Sequence, residues 1–123
     1  SRDMRFYQIQ ADIMVDQLIY GRWGATARET MALGVPTICR LDRNQPDGIP
    51  PSPALAECPL VDASPETVYD AIKALALDAD KRKSIGAASR AYAEKWFGAA
   101  ACAERFEKVY DRMQAGKLPL YRP

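Results

Sequence analysis

Apolar positions along this chain follow two different periods. In the first third they form short unbroken runs, Ile13-Met14-Val15 and Thr37-Ile38-Cys39. Neither run alternates with polar residues, which suits strands of a parallel sheet covered on both faces. We expect strands over 13–16, short and buried, and over 36–40. Between them, Ala25 to Leu33 predicts a helix that ends at Gly34, with Pro36 just beyond. Ahead of the first strand, Met4, Phe6, Tyr7 and Ile9 mark the last turns of a helix ending at Gln10, although the period is weak.

The second half has helical spacing. Ser64-Pro65-Glu66 reads as a helix start, with an N-cap serine, proline at N1 and an acid in the first turn. Val68, Ile72 and Leu75 mark its face. Asp78 recaps the chain, and the next helix carries Ile85, Ala88, Tyr92 and Trp96. Gly98 breaks that helix. A third carries Cys102, Phe106, Val109 and Met113, and Gly116 and Pro119 end the ordered part. Trp96, Phe106 and Tyr110 are expected in the core. Residues 41–59 read as a loop holding five of the nine prolines, and Leu60-Val61 as a short edge strand. The domain thus covers residues 1–116, with a tail over 117–123. No internal repeat is visible.

Three strands make a small α/β sheet, and the first has an unpaired edge. We therefore expect upstream strands and read the chain as the C-terminal piece of something larger, with uncovered surface open to self-association.

Size and composition fit one globular domain: 123 residues, 48% apolar and 27% charged. A net charge of +1 points to neither nucleic acid nor a membrane surface. No apolar run approaches a membrane span, and no secretory leader is expected. The three cysteines, Cys39, Cys58 and Cys102, lack metal spacing and read as reduced thiols of a cytoplasmic chain, with Cys39 and Cys102 in the core. Histidine is absent from the sequence, which excludes Ser-His-Asp and Cys-His catalysis and most zinc sites. Catalysis would have to rest on carboxylates, lysines, backbone dipoles or a bound cofactor.

The candidate chemistry lies between the two apolar runs, in Tyr20-Gly21-Arg22-Trp23-Gly24-Ala25-Thr26-Ala27-Arg28-Glu29. A strand, a glycine turn and a helix put a helix N-terminus at the carboxyl end of a parallel strand, where open α/β sheets bind ligands. Gly24, Ala25 and Thr26 are small, so backbone N–H groups there can touch a phosphate with no bulky side chain in the way. Glu29 follows one turn later. It reads either as an acid favoured by the helix dipole or as a ligand contact. Trp23 and Tyr20 read as packing beneath the turn or stacking on a ligand, Arg28 as a solvated charge, and Asp12 and Asp16 as capping or turn residues.

Ala11-Asp12-Ile13, the Gly21-Arg22-Trp23-Gly24 turn, the string Glu29-Thr30-Met31-Ala32-Leu33-Gly34-Val35-Pro36-Thr37-Ile38, and Tyr92 to Phe97 with Phe106 to Tyr110 resemble the GT-B glycosyltransferases of family four. The likeness runs from about Asp12 to Met113. It implies the second half of the C-terminal, nucleotide-sugar-binding domain: a partial Rossmann-like three-layer α/β domain with a short parallel sheet and C-terminal helices. The resemblance further implies that Gly24, Ala25 and Thr26 hold the diphosphate of a nucleotide diphosphate sugar donor, while Glu29 accepts hydrogen bonds from the ribose hydroxyls. An ionised carboxylate can accept from both hydroxyls of a vicinal diol. The family's motif is Glu-x7-Glu, and its first glutamate, which helps hold the donor sugar, falls at Gly21 here. Arg22 is the neighbour able to take over donor contact. No catalytic residue, cofactor or metal is assigned. The implied partners are the donor and a missing N-terminal acceptor-binding domain, and the reaction would proceed with retention. The alternative is a non-catalytic nucleotide-binding or assembly module of the same fold. A sugar epimerase of related fold is disfavoured by the lack of histidine and by the family-four string.

Overall fold

The computed structural model describes residues 2–43 and 52–116. Helix α1 (Arg2–Gln10) leads into strand β1 (Met14–Val15), helix α2 (Ala25–Ala32) and strand β2 (Thr37–Cys39). Helix α3 (Pro53–Glu57), strand β3 (Val61–Asp62) and helices α4 (Val68–Leu77), α5 (Ala79–Phe97) and α6 (Ala99–Gln114) follow. The three strands form one parallel sheet in the order β1-β2-β3. Met14 lies opposite Thr37, and Ile38 opposite Val61.

Strand β2 is central, and all three of its residues are buried. Successive side chains of a strand point to opposite faces. Cys39 accordingly joins one cluster with Ala27, Met31, Leu55 and Tyr92, while Ile38 joins another with Ala63 and Leu75. Helix α2 supplies the first cluster. Helix α4 backs the second, where Val68 and Ala71 pack against it. Coverage on both faces explains why the sequence of β2 does not alternate. Strand β1 departs from expectation. It lies at the sheet edge, and Val15 is 39% exposed, so the apolar run 13–15 is not a buried strand.

Helix α2 ends as its sequence predicts. Gly34 takes a φ of +75°, its N–H donates to the Met31 carbonyl, and the Val35 N–H donates to the Thr30 carbonyl. These two bonds form the left-handed C-cap that favours glycine. Helix α5 crosses this turn closely, because a Cβ on Gly86 would lie 2.2 Å from the Gly34 carbonyl oxygen. Arg90 seals the junction by donating to the Ala32 carbonyl at 2.7 Å. The buried residues of α5 are therefore Gly86, Ser89, Tyr92 and Ala93. The expected face of Ile85, Ala88, Tyr92 and Trp96 is rotated, and Ala88 is exposed. Close helix approach selects small residues, which a search for apolar periodicity passes over.

Four further expectations change. Within 41–59, residues 44–51 lie outside the described residues, and 53–57 form α3, capped by the Ser52 hydroxyl accepting from the Leu55 N–H. Ser64 does not cap α4. Residues 65–67 form a turn, Thr67 is the N-cap, and the helix begins at Val68. Ile72 faces out at 39% exposure, leaving Leu75 as the buried residue of α4. The largest correction concerns α6. It forms as predicted but buries none of its residues. Phe106 is 62% exposed, Tyr110, Val109 and Met113 are also exposed, and Cys102 is only half-buried. Helical spacing shows that one face of a helix is apolar, not that the rest of the chain covers it. The tail 117–123 lies outside the described residues.

Candidate functional site

The carboxyl ends of β1 and β2 meet at the glycine turn. Beyond β1, the Arg40 N–H donates to the Gln17 carbonyl and the Asp42 N–H to the Gly21 carbonyl, both at 2.9 Å. The 17–21 segment is thereby fastened to the chain leaving β2. Gly21 takes a φ of +78°, and a Cβ there would come within 2.9 Å of the Asp42 Cβ. Position 21 thus admits glycine on two grounds, backbone conformation and space. A glutamate at position 21 would meet both obstacles. Arg22 closes the turn, its Nη1 donating to the Gly21 carbonyl at 2.9 Å and to the Asp42 carbonyl at 2.6 Å.

Trp23 turns inward. Its ring meets Tyr92 edge-on at 6.4 Å and Phe97 at 6.3 Å, so it supports the turn from beneath. Tyr20 stays 77% exposed. Gly24 is the N-cap of α2 in an extended conformation, with no side chain to cap the first-turn N–H groups. Its own N–H donates to Asp16 Oδ2 at 3.1 Å. Asp16 therefore ties the end of β1 to the start of α2, the turn role expected of it. This carboxylate engages the Gly24 N–H, and no side chain caps the N–H groups that follow it, those of Ala25 and Thr26. Arg28 is exposed, as expected of a solvated charge, and its guanidinium lies 5.8 Å from the centroid of the Phe97 ring.

Glu29 is exposed on α2, five residues beyond Gly24, or about 7.5 Å along a helix. That distance suits a ligand with an anionic group at the helix end and a hydroxyl pair further on. Glu29 Oε2 accepts from Gln8 Nε2 of α1 at 3.1 Å. Gln8 was invisible to sequence reasoning, since one amide in a weakly periodic segment carries no signal. The Thr30 and Thr37 hydroxyls, buried and 2.7 Å apart, join α2 to β2 and were equally silent.

Beneath the turn, Cys39 is fully buried. Burial, followed by the nearby charge of Asp16, pushes its thiol from 9.0 up to about 12. Burial also raises the Cys58 thiol. Burial raises the phenol of Tyr92 too; its hydroxyl donates to the Ala54 carbonyl. These groups are neutral packing residues at ordinary pH, and neither buried cysteine offers a thiolate nucleophile. Among the described residues, no group of His, Cys, Asp or Glu is placed to hold a metal ion, and no helix is long and apolar enough to cross a membrane.

A cavity of about 300 Å³ is lined by Asp12, Gly34, Pro36, Arg82 and Lys83 among others. Asp12 and Pro36 precede β1 and β2, so this cavity lies at the amino ends of the strands, opposite the glycine turn. An apolar groove lined by Arg5, Phe6, Ile9 and Leu33 runs between α1 and α2. Neither cavity includes Gly21, Arg22, Gly24, Ala25, Thr26 or Glu29. Compared with known proteins, the chain matches no family model, no curated protein and no solved structure.

Proposed function

We propose that this chain is the donor-binding part of a GT-B glycosyltransferase, built as part of a Rossmann-like three-layer domain. The whole protein would move a sugar from a nucleotide diphosphate donor to an acceptor in the cytoplasm. The observation that carries this reading is the unit β1–turn–α2. A helix N-terminus with no side-chain cap stands at the carboxyl end of a parallel strand, with an exposed acid about 7.5 Å further along. The diphosphate would lie on the N–H groups of Ala25 and Thr26, favoured by the helix dipole. Glu29 would accept from the ribose hydroxyls. Leaving-group charge would be met by backbone dipoles and basic side chains.

A second reading follows from Gly21. The turn as built has no room for an acid at that position, which favours a nucleotide-binding or assembly module without sugar transfer. Both readings place the nucleotide at the same residues, and donor turnover by the whole protein separates them.

Calorimetric titration with nucleoside diphosphates tests the shared part. Glu29→Ala should weaken binding by about 1.5–3 kcal/mol, as for hydrogen bonds to a charged group. Folding stability should fall by about 1 kcal/mol, because the buried Gln8 amide loses its carboxylate partner. Unchanged affinity removes the ribose role.

A further inference from the structure

Helix α1 exposes its large apolar side chains, among them Phe6 and Tyr7, while Gln8 is 1% exposed. A buried glutamine must find partners for two N–H groups and a carbonyl oxygen. Nε2 donates to Glu29 Oε2 at 3.1 Å. Chemistry dictates this orientation: an ionised carboxylate only accepts, so the amide must turn its NH2 toward Glu29. The same orientation leaves Gln8 Oε1 buried without a donor among the described residues. An apolar residue would fill the position with no orphaned acceptor. Packing therefore does not account for glutamine here, and its bond to Glu29 does.

We propose that Gln8 is a positioning residue for Glu29. It holds one carboxylate oxygen and so fixes the orientation in which Glu29 receives the vicinal hydroxyls of a nucleotide ribose. This inference rests on the reading of Glu29 given above and adds the residue that sets its preference for a diol. An exposed glutamate otherwise samples several rotamers, and ordering it on binding costs affinity. The α1–α2 contact removes part of that cost beforehand.

The test compares wild type with Gln8→Met, titrated with ADP, GDP and UDP and with their 2′,3′-dideoxy counterparts. The ribonucleotide that binds best should lose about three- to tenfold in affinity in Gln8→Met, while its dideoxy counterpart changes by less than about twofold. Equal losses for both would make Gln8 a plain fastener of α1 and overturn the inference, as would an unchanged ribonucleotide affinity. If wild type binds none of the three, the donor-site reading falls and the inference falls with it. A variant that fails to fold is covered by NMR of the wild-type protein. The side-chain amide resonances of Gln8 should move on adding the ribonucleotide and stay in place with the dideoxy form. An identical response to both overturns the inference.

Discussion

Two glycines carry consequences out of proportion to their size. Gly21 combines a left-handed backbone with a Cβ position 2.9 Å from the Asp42 Cβ. Gly86 stands against the Gly34 carbonyl, with 2.2 Å left for a Cβ. Neither neighbour yields easily, since the Asp42 Cβ is fixed by its own backbone and the Gly34 carbonyl belongs to a helix C-cap, and the approach at Gly86 is the closer of the two. We expect Gly21→Ala to cost about 2 kcal/mol and Gly86→Ala about 3 kcal/mol of stability in urea denaturation. A cost for Gly86→Ala under about 1 kcal/mol would mean that α5 does not approach α2 this closely.

At the scale of elements, the contact between α2 and β2 is polar as well as apolar. Thr30 Oγ1 reaches the Thr26 and Ala27 carbonyls and the Thr37 hydroxyl, and Thr37 donates to the Val35 carbonyl. Thr30→Val and Thr37→Val should each cost about 1 kcal/mol. The double variant should cost less than their sum by at least about 0.5 kcal/mol, because the two hydroxyls share a bond. Additive losses in the double-mutant cycle would show that the hydroxyls act independently. Helix α6 behaves differently. Phe106 and Tyr110 stack on each other at 6.5 Å in the open. Phe106→Ala should therefore change folding stability by less than about 0.5 kcal/mol, far below the cost of a core phenylalanine. The same substitution should shift size-exclusion profiles toward monomer, since the face it trims is apolar and uncovered. A loss of several kcal/mol with an unchanged profile would return Phe106 to a core.

For the whole molecule, the pH response follows from its buried thiols and phenol. Cys39 is raised from 9.0 to about 12, and Cys58 and Tyr92 are raised as well. As pH climbs past about 9, the unfolded chain releases these protons before the folded one does. The folded state then binds more protons, and stability declines with rising pH. The contribution is complete below pH 9 and is lost toward the folded values. Denaturant midpoints should hold between pH 7 and about 8.5 and then fall steadily up to pH 11. A midpoint still level at pH 11 would place these groups in contact with solvent. The acids whose carboxyls are lowered, Glu57, Glu66 and Glu104, are all surface groups. Hydrogen bonds from Lys95, Ser64 and Lys108 respectively are the main causes, and solvent screens what such pairs contribute. The alkaline limb is thus the informative one.

Local chemistry determined the elements of this protein and some of their ends. Gly34 and Pro36 stop α2, Asp78 caps α5 through the Lys81 N–H, Gly98 separates α5 from α6, and Gly24 starts α2. Each of these signals acts within a few residues of its own position, so sequence alone carries it. Even local signals had limits. Ser52-Pro53 and Ser64-Pro65 share one signature, yet the first starts a helix and the second a turn. Tertiary structure decided which faces are buried. The small stripe Gly86, Ser89 and Ala93 became the α2 contact, and the apolar stripe of α6 was left open. It also decided the chemistry around Glu29, by bringing Gln8 of α1 to a carboxylate 21 residues away. Burial depends on what else arrives at a surface, and a chain's own periodicity cannot encode the shape of its partner.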